Sequence, residues 1–168
     1  EDILNRLAVK DDTLSSLMFS FLAEAYLYEM EDLQQARVYY EKSVAIDESI
    51  GTEPETIISS YYSLAGVYQL LGMQKDAEKS YVRILEIERL NYGRKSVGYI
   101  ETSIAYLTFL ITSQQYDKAQ AFQREIKSII DEAEPNYQAA FLQASGVLER
   151  TLGKYKKSEK LLLDALRV

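Results

Sequence analysis

A chain of 168 residues with 47% apolar and 27% charged side chains is long enough for one domain with a substantial core and too rich in apolar residues for a disordered segment. The absence of histidine and cysteine excludes zinc fingers, Ser-His-Asp and Cys-His nucleophilic sites and any disulfide framework. A net charge of −7 and the lack of a basic patch interleaved with aromatic residues argue against a nucleic-acid partner, and no acidic run has the spacing of a calcium loop.

Two prolines and seven glycines are too few for turn-rich β structure, and the abundance of Leu, Ala, Glu, Lys, Gln and Ile favours helices. Within residues 1–12, a leading helix is expected at about 2–10. Helical spacing of apolar residues then predicts eight further helices at about 14–30, 33–50, 54–71, 74–92, 96–113, 116–133, 136–152 and 155–167. Gly51, Gly72 and Gly93 stop three of them, and Pro54 suits the first turn of its helix, where a missing N–H costs nothing. The clearest unit runs from Tyr61 to Tyr81: Leu64, Ala65 and Tyr68 share one helical face, Gly72 closes that helix, and Ala77 and Tyr81 share a face of the next.

Small residues early in the second helix of each such pair recur as Ala36, Ala77, Ala119 and Ser158, at spacings of 41, 42 and 39 residues. Four repeats follow, at about 13–53, 54–95, 96–135 and 136–168, without a linker between them, so that 1–168 reads as one all-α domain. The first repeat carries one extra residue between Tyr26 and Ala36. The chain opens without methionine and closes within an amphipathic pattern, from which a longer parent protein is expected.

The pattern Tyr61, Leu64, Ala65, Tyr68, Ala77, Tyr81 resembles the tetratricopeptide repeat family, and it recurs as Leu22, Ala23, Tyr26, Ala36, Tyr40 and, more loosely, around Tyr116–Ala119 and Gly146–Ser158. The period exceeds the family's usual length of about 34 residues because the second helices are longer, which is similar to the repeats of kinesin light chain and of Gram-positive peptide-sensing regulators. The resemblance implies a right-handed superhelical solenoid whose first helices line a concave groove. It also implies a protein-interaction scaffold, not an enzyme, without cofactor or metal, holding a partner peptide or helix. Carried onto this chain, the groove positions are Glu24, Tyr28, Tyr62, Gln69, Glu101, Thr108, Gln143 and Arg150. Tyr26, Tyr40, Tyr61, Tyr68 and Tyr81 fall on the family's packing positions and are expected in the core. The lysine and asparagine clamp that grips chaperone C-termini is absent, and Ser63 stands where peptide-holding relatives place asparagine.

Charge is uneven along the chain. Residues 1–50 carry eleven acidic and four basic side chains, whereas Arg150–Val168 carries six basic and two acidic ones. Such polarity invites a basic partner or head-to-tail self-assembly through apolar stripes such as Leu161, Leu162, Ala165 and Leu166. A regulatory role beside an effector domain elsewhere in the parent protein is the remaining alternative. No apolar run approaches the roughly 20 residues that span a bilayer, and the lack of cysteines and of glycosylation sequons points to the cytoplasm.

Overall fold

The computed structural model describes residues 12–168. They form eight α-helices in chain order: α1 Asp12–Tyr28, α2 Leu33–Ile50, α3 Pro54–Leu70, α4 Gln74–Asn91, α5 Val97–Thr112, α6 Tyr116–Ile130, α7 Pro135–Thr151 and α8 Tyr155–Ala165. The expected leading helix lies outside the described residues. The chain divides into two compact units, one ending at Ile87 and one formed by Glu88–Val168, with the division falling inside α4.

Local chemistry sets the helix ends. The Asp32 carboxylate accepts the N–H groups of Gln34 at 3.1 Å and Gln35 at 3.0 Å, satisfying donors that α2 cannot satisfy itself. Ser96 caps α5 by accepting from the Tyr99 N–H at 3.3 Å. Pro54 and Pro135 open α3 and α7. The three later hairpin turns close in one way: the N–H of Met73, Gln115 and Lys154 donates to the carbonyl of Tyr68, Leu110 and Glu149, each at 2.8 Å. In the first hairpin the extra residue widens the turn, and Asp32 N–H reaches back to Tyr26 instead. For this reason α1 ends at Tyr28, two residues short of the expected end. α6 likewise ends at Ile130, because Glu132 and Ala133 turn back onto the carbonyls of Ile129 and Ile130 ahead of Pro135.

Each hairpin turn contains a left-handed residue. Gly72 and Gly153 supply it at φ of 72° and 74°, but the first and third turns use Glu31 at 54° and Gln114 at 61°, where a Cβ is strained.

In the unit ending at Ile87, α1 packs on α2 and α2 on α3. Ala23, Ala36, Ala65 and Ala77 are fully buried, so small side chains occupy the places where helices approach most closely. The core also holds Tyr40, Val44, Leu64, Val67, Tyr68, Tyr81 and Ile84. In the second unit, α5 packs on α6 and α7, α6 on α7, and α7 on α8. Its core is built from Leu107, Leu110, Ala119, Ile126, Ile130, Phe141 and Leu148, all buried. Gly146 lets α8 approach α7: a Cβ there would lie 2.8 Å from the Leu162 side chain.

Two buried carboxylates tie second helices to the first helix that follows. Asp47, on α2, accepts from Ser16 at 2.5 Å and from Ser60 of α3 at 2.9 Å. Glu88, near the end of α4 and only 3% exposed, accepts from Thr102 of α5. The corresponding place on α6 holds the apolar Ile130.

Candidate partner-binding surface

All eight groove positions expected from the sequence lie on first helices, α1, α3, α5 and α7. Glu24, Glu101, Thr108, Gln143 and Arg150 are exposed, Tyr28 is 74% exposed, and Tyr62 and Gln69 are half-buried.

In the unit ending at Ile87 the structure gathers these residues into two groups. Glu24 and Tyr28 lie beside the phenol of Tyr40, which also hydrogen-bonds Ser63. Burial, and next the Glu24 charge, push that phenol above its ordinary pKa, so it stays protonated. Tyr62 and Gln69 both hold Tyr81: the Tyr62 ring meets it edge-on with centroids 6.3 Å apart, and the Gln69 amide donates to its hydroxyl at 3.2 Å. Gln69 and Tyr62 are therefore partly structural. Tyr40 and Tyr81 are themselves buried, as their packing positions require.

In the second unit, α5 and α7 lie side by side, and the Tyr137 hydroxyl donates to Glu101 across 2.9 Å between them. That bond raises the Tyr137 phenol's pKa. Thr108 spends its hydroxyl on the Ile104 carbonyl at 2.9 Å. Sequence reading missed Tyr137 as a neighbour of Glu101, although both stand near the start of first helices in successive repeats.

In the unit ending at Ile87, the side formed by the second helices is chemically different. Between α2 and α4, above α3, the Tyr61 hydroxyl donates to Glu48 at 2.9 Å, the Tyr68 hydroxyl donates to Glu41 at 2.9 Å, and Arg83 bridges Glu48 at 3.0 Å and Glu86 at 2.7 Å. Burial, followed by the carboxylate it faces, pushes the Tyr61 phenol up to about 12 and raises Tyr68 as well. The polar groups here satisfy one another. Tyr61 is half-buried and Tyr26 stacks on Tyr39 at 5.3 Å, so both serve packing.

No helix among the described residues is long and apolar enough to cross a membrane, and no group of three metal-ligating side chains occurs among them.

A tetratricopeptide repeat family model matches residues 12–89. No curated protein matches the sequence significantly. Among solved structures, the chain is similar to BtubC (BKLC) from P. vanneervenii, with a TM-score of 0.76 and 20% identity over 94% of this chain. The chain spans 64% of the length of that structure. Tetratricopeptide repeats generally mediate protein–protein interactions. The sequence of residues 12–89 is thus similar to tetratricopeptide repeats, and the chain has an all-α helical-repeat fold.

Proposed function

We propose that the chain is an interaction scaffold that holds a partner peptide or helix along its first-helix surface, through Glu24, Tyr28, Tyr62, Gln69, Glu101, Thr108, Gln143 and Arg150. The observation that carries this reading is that mixed polar and aromatic side chains at recurring positions of α1, α3, α5 and α7 are exposed or half-buried, with Tyr40 and Tyr81 buried beneath those of the first unit. Amphipathic aromatic rings beside polar groups suit a polypeptide, whose backbone needs hydrogen bonds and whose side chains need apolar contact. Glu24 and the acidity of the first 50 residues favour a basic segment at that end.

Affinity capture from cell extract at low and high salt tests the proposal. The exposed variants Glu24→Lys and Thr108→Lys should lose the partner while keeping wild-type helicity. The Tyr62→Ala, Gln69→Ala variant should lose it too, with a small loss of stability from freeing Tyr81. Retention by all of these variants would move the site off the first helices.

A second reading, self-association, is favoured by exposed apolar side chains on α1 (Leu14, Leu17, Phe21), on α8 (Leu163) and just after it (Leu166). It requires sedimentation to report larger species as concentration rises; an unchanging monomer would dismiss it.

A further inference from the structure

Each unit carries a cleft between two second helices, and the balance of charge in the lining shifts from acidic in the first to basic in the second. In the unit ending at Ile87 a cleft of about 500 Å³ lies between α2 and α4 over α3. In the second unit a cleft of about 570 Å³ lies between α6 and α8 over α7. Aligning Ala36 with Ala119, Pro54 with Pro135 and Ala77 with Ser158 superimposes their linings nearly residue for residue. Glu41 of the first cleft becomes Arg124, Val44 becomes Lys127 and Asp76 becomes Lys157, Lys79 is kept as Lys160 and Glu48 as Asp131, and Arg83 becomes Asp164. Leu64, on the floor, becomes Ser145.

The consequences differ as sharply as the residues. In the first cleft, carboxylates are taken up by Tyr61, Tyr68 and Arg83. In the second, four cations face two carboxylates, Asp131 and Asp164. Asp131 pairs with Lys127 at 2.5 Å, Asp164 with Arg167 at 3.3 Å, and Lys157 turns to Glu149 at 2.6 Å. Arg124 and Lys160 are exposed and have no acidic partner among the described residues. Beneath them Ser145 is 1% exposed, and its hydroxyl has no hydrogen-bond partner. A buried hydroxyl without a partner is costly, and here it lies in the lining of a cleft rimmed by uncommitted positive charge.

We infer that the α6–α7–α8 cleft is a second docking site, for an acidic segment of a partner polypeptide. Its carboxylates meet Arg124 and Lys160, an apolar side chain rests on Phe141 and Leu161, and a backbone or side-chain polar group reaches Ser145. The guanidinium of Arg124 suits a planar carboxylate, and the apolar floor suits a peptide better than a bare polyanion. The site is separate from the first-helix surface, so each can fail without the other.

The test uses a fluorescein-labelled peptide of repeated Glu-Leu-Asp units and its Gln-Leu-Asn counterpart, followed by anisotropy. The full chain should bind the acidic peptide at least about tenfold more tightly than the neutral one, with an affinity that falls as salt rises. The Arg124→Glu, Lys160→Glu variant should lose that preference while unfolding at the wild-type temperature, because neither side chain is buried or paired. Ser145→Ala should weaken binding less, and Tyr62→Ala should leave it unchanged. Equal binding by the double charge variant would overturn the inference. So would a single-stranded oligonucleotide that bound as tightly as the peptide and was lost in the same variant, since this would mean a site for polyanions in general.

Discussion

Glu88 is buried among groups that do not fully satisfy it, and replacing it by glutamine should remove a pH dependence of stability that surface carboxylates lack. One oxygen accepts from Thr102 and lies where a Cβ on Gly98 would come within 2.7 Å; the other has no hydrogen-bond partner. Burial raises this carboxyl's pKa, Thr102 offsets part of the rise, and the charge of Glu101 adds to it. A folded-state pKa above the unfolded one means that the folded chain binds the proton more tightly. The Glu88 contribution is then most favourable below the ordinary carboxylate range and is lost as pH rises through the folded pKa. An ionised carboxylate with an unmet oxygen costs about 1–3 kcal/mol, while a glutamine amide keeps the Thr102 bond and carries no charge. Glu88→Gln should therefore gain about 1–2 kcal/mol near pH 8 and almost nothing near pH 4. Urea unfolding followed by far-ultraviolet dichroism at both pH values measures this directly. A variant less stable than wild type at the higher pH, or a gain of equal size at both, would refute the reasoning.

Glu149 should behave in the opposite sense. Burial pushes its carboxyl up, but the Lys157 hydrogen bond and the charges of Lys157 and Lys154 outweigh that and hold it below the usual range, so its stabilisation is present at neutral pH and lost as acid protonates it. Lys157→Met should cost about 1–3 kcal/mol at neutral pH and flatten the acid limb of the stability curve; an unchanged acid limb would contradict it. Ala77→Leu should overpack the α3–α4 hairpin and cost about 1–3 kcal/mol, because Ala77 is fully buried; unaltered thermal melting would show that the helices do not meet there. Gln114→Gly should stabilise by about 0.5–1 kcal/mol, since a strained left-handed residue gives way to one without a Cβ; calorimetry showing a loss would mean the side chain earns its place by contacts.

Much of the fold was legible because the packing of paired helices in a helical repeat leaves a periodic trace. Ala36, Ala77, Ala119 and Ser158 mark the close approaches, and all four are buried. Helix starts were legible where chemistry is local, at Asp32, Pro54 and Pro135. Ends were less so. A left-handed Glu31 or Gln114 has no sequence signature comparable to Gly72, and the early end of α1 follows from a turn widened by one residue.

Of the candidate surface, helix membership was legible, but contact was not. Nothing in the spacing says that Gln69 spends its amide on Tyr81, or that Tyr137 reaches Glu101 across 36 positions of chain. Asp47 and Glu88 left a usable signal, an acidic residue at a core-facing position four or five residues before a capping glycine, repeated 41 residues apart. The shift in charge balance between the two second-helix clefts was also present in the sequence, but only once the linings are known does Glu41 stand opposite Arg124.

Photo-crosslinking tests the proposed first-helix recognition most directly. A benzophenone side chain placed in turn at Thr108 and Gln143, on first helices, and at Glu86 and Ala121, exposed on second helices, reports which side a captured partner lies against. The first-helix positions should crosslink to the partner whose capture depends on Glu24 and Thr108, and Glu86 and Ala121 should not crosslink to that partner. Crosslinks from Glu86 and Ala121 alone would contradict the account and place that partner on the second helices.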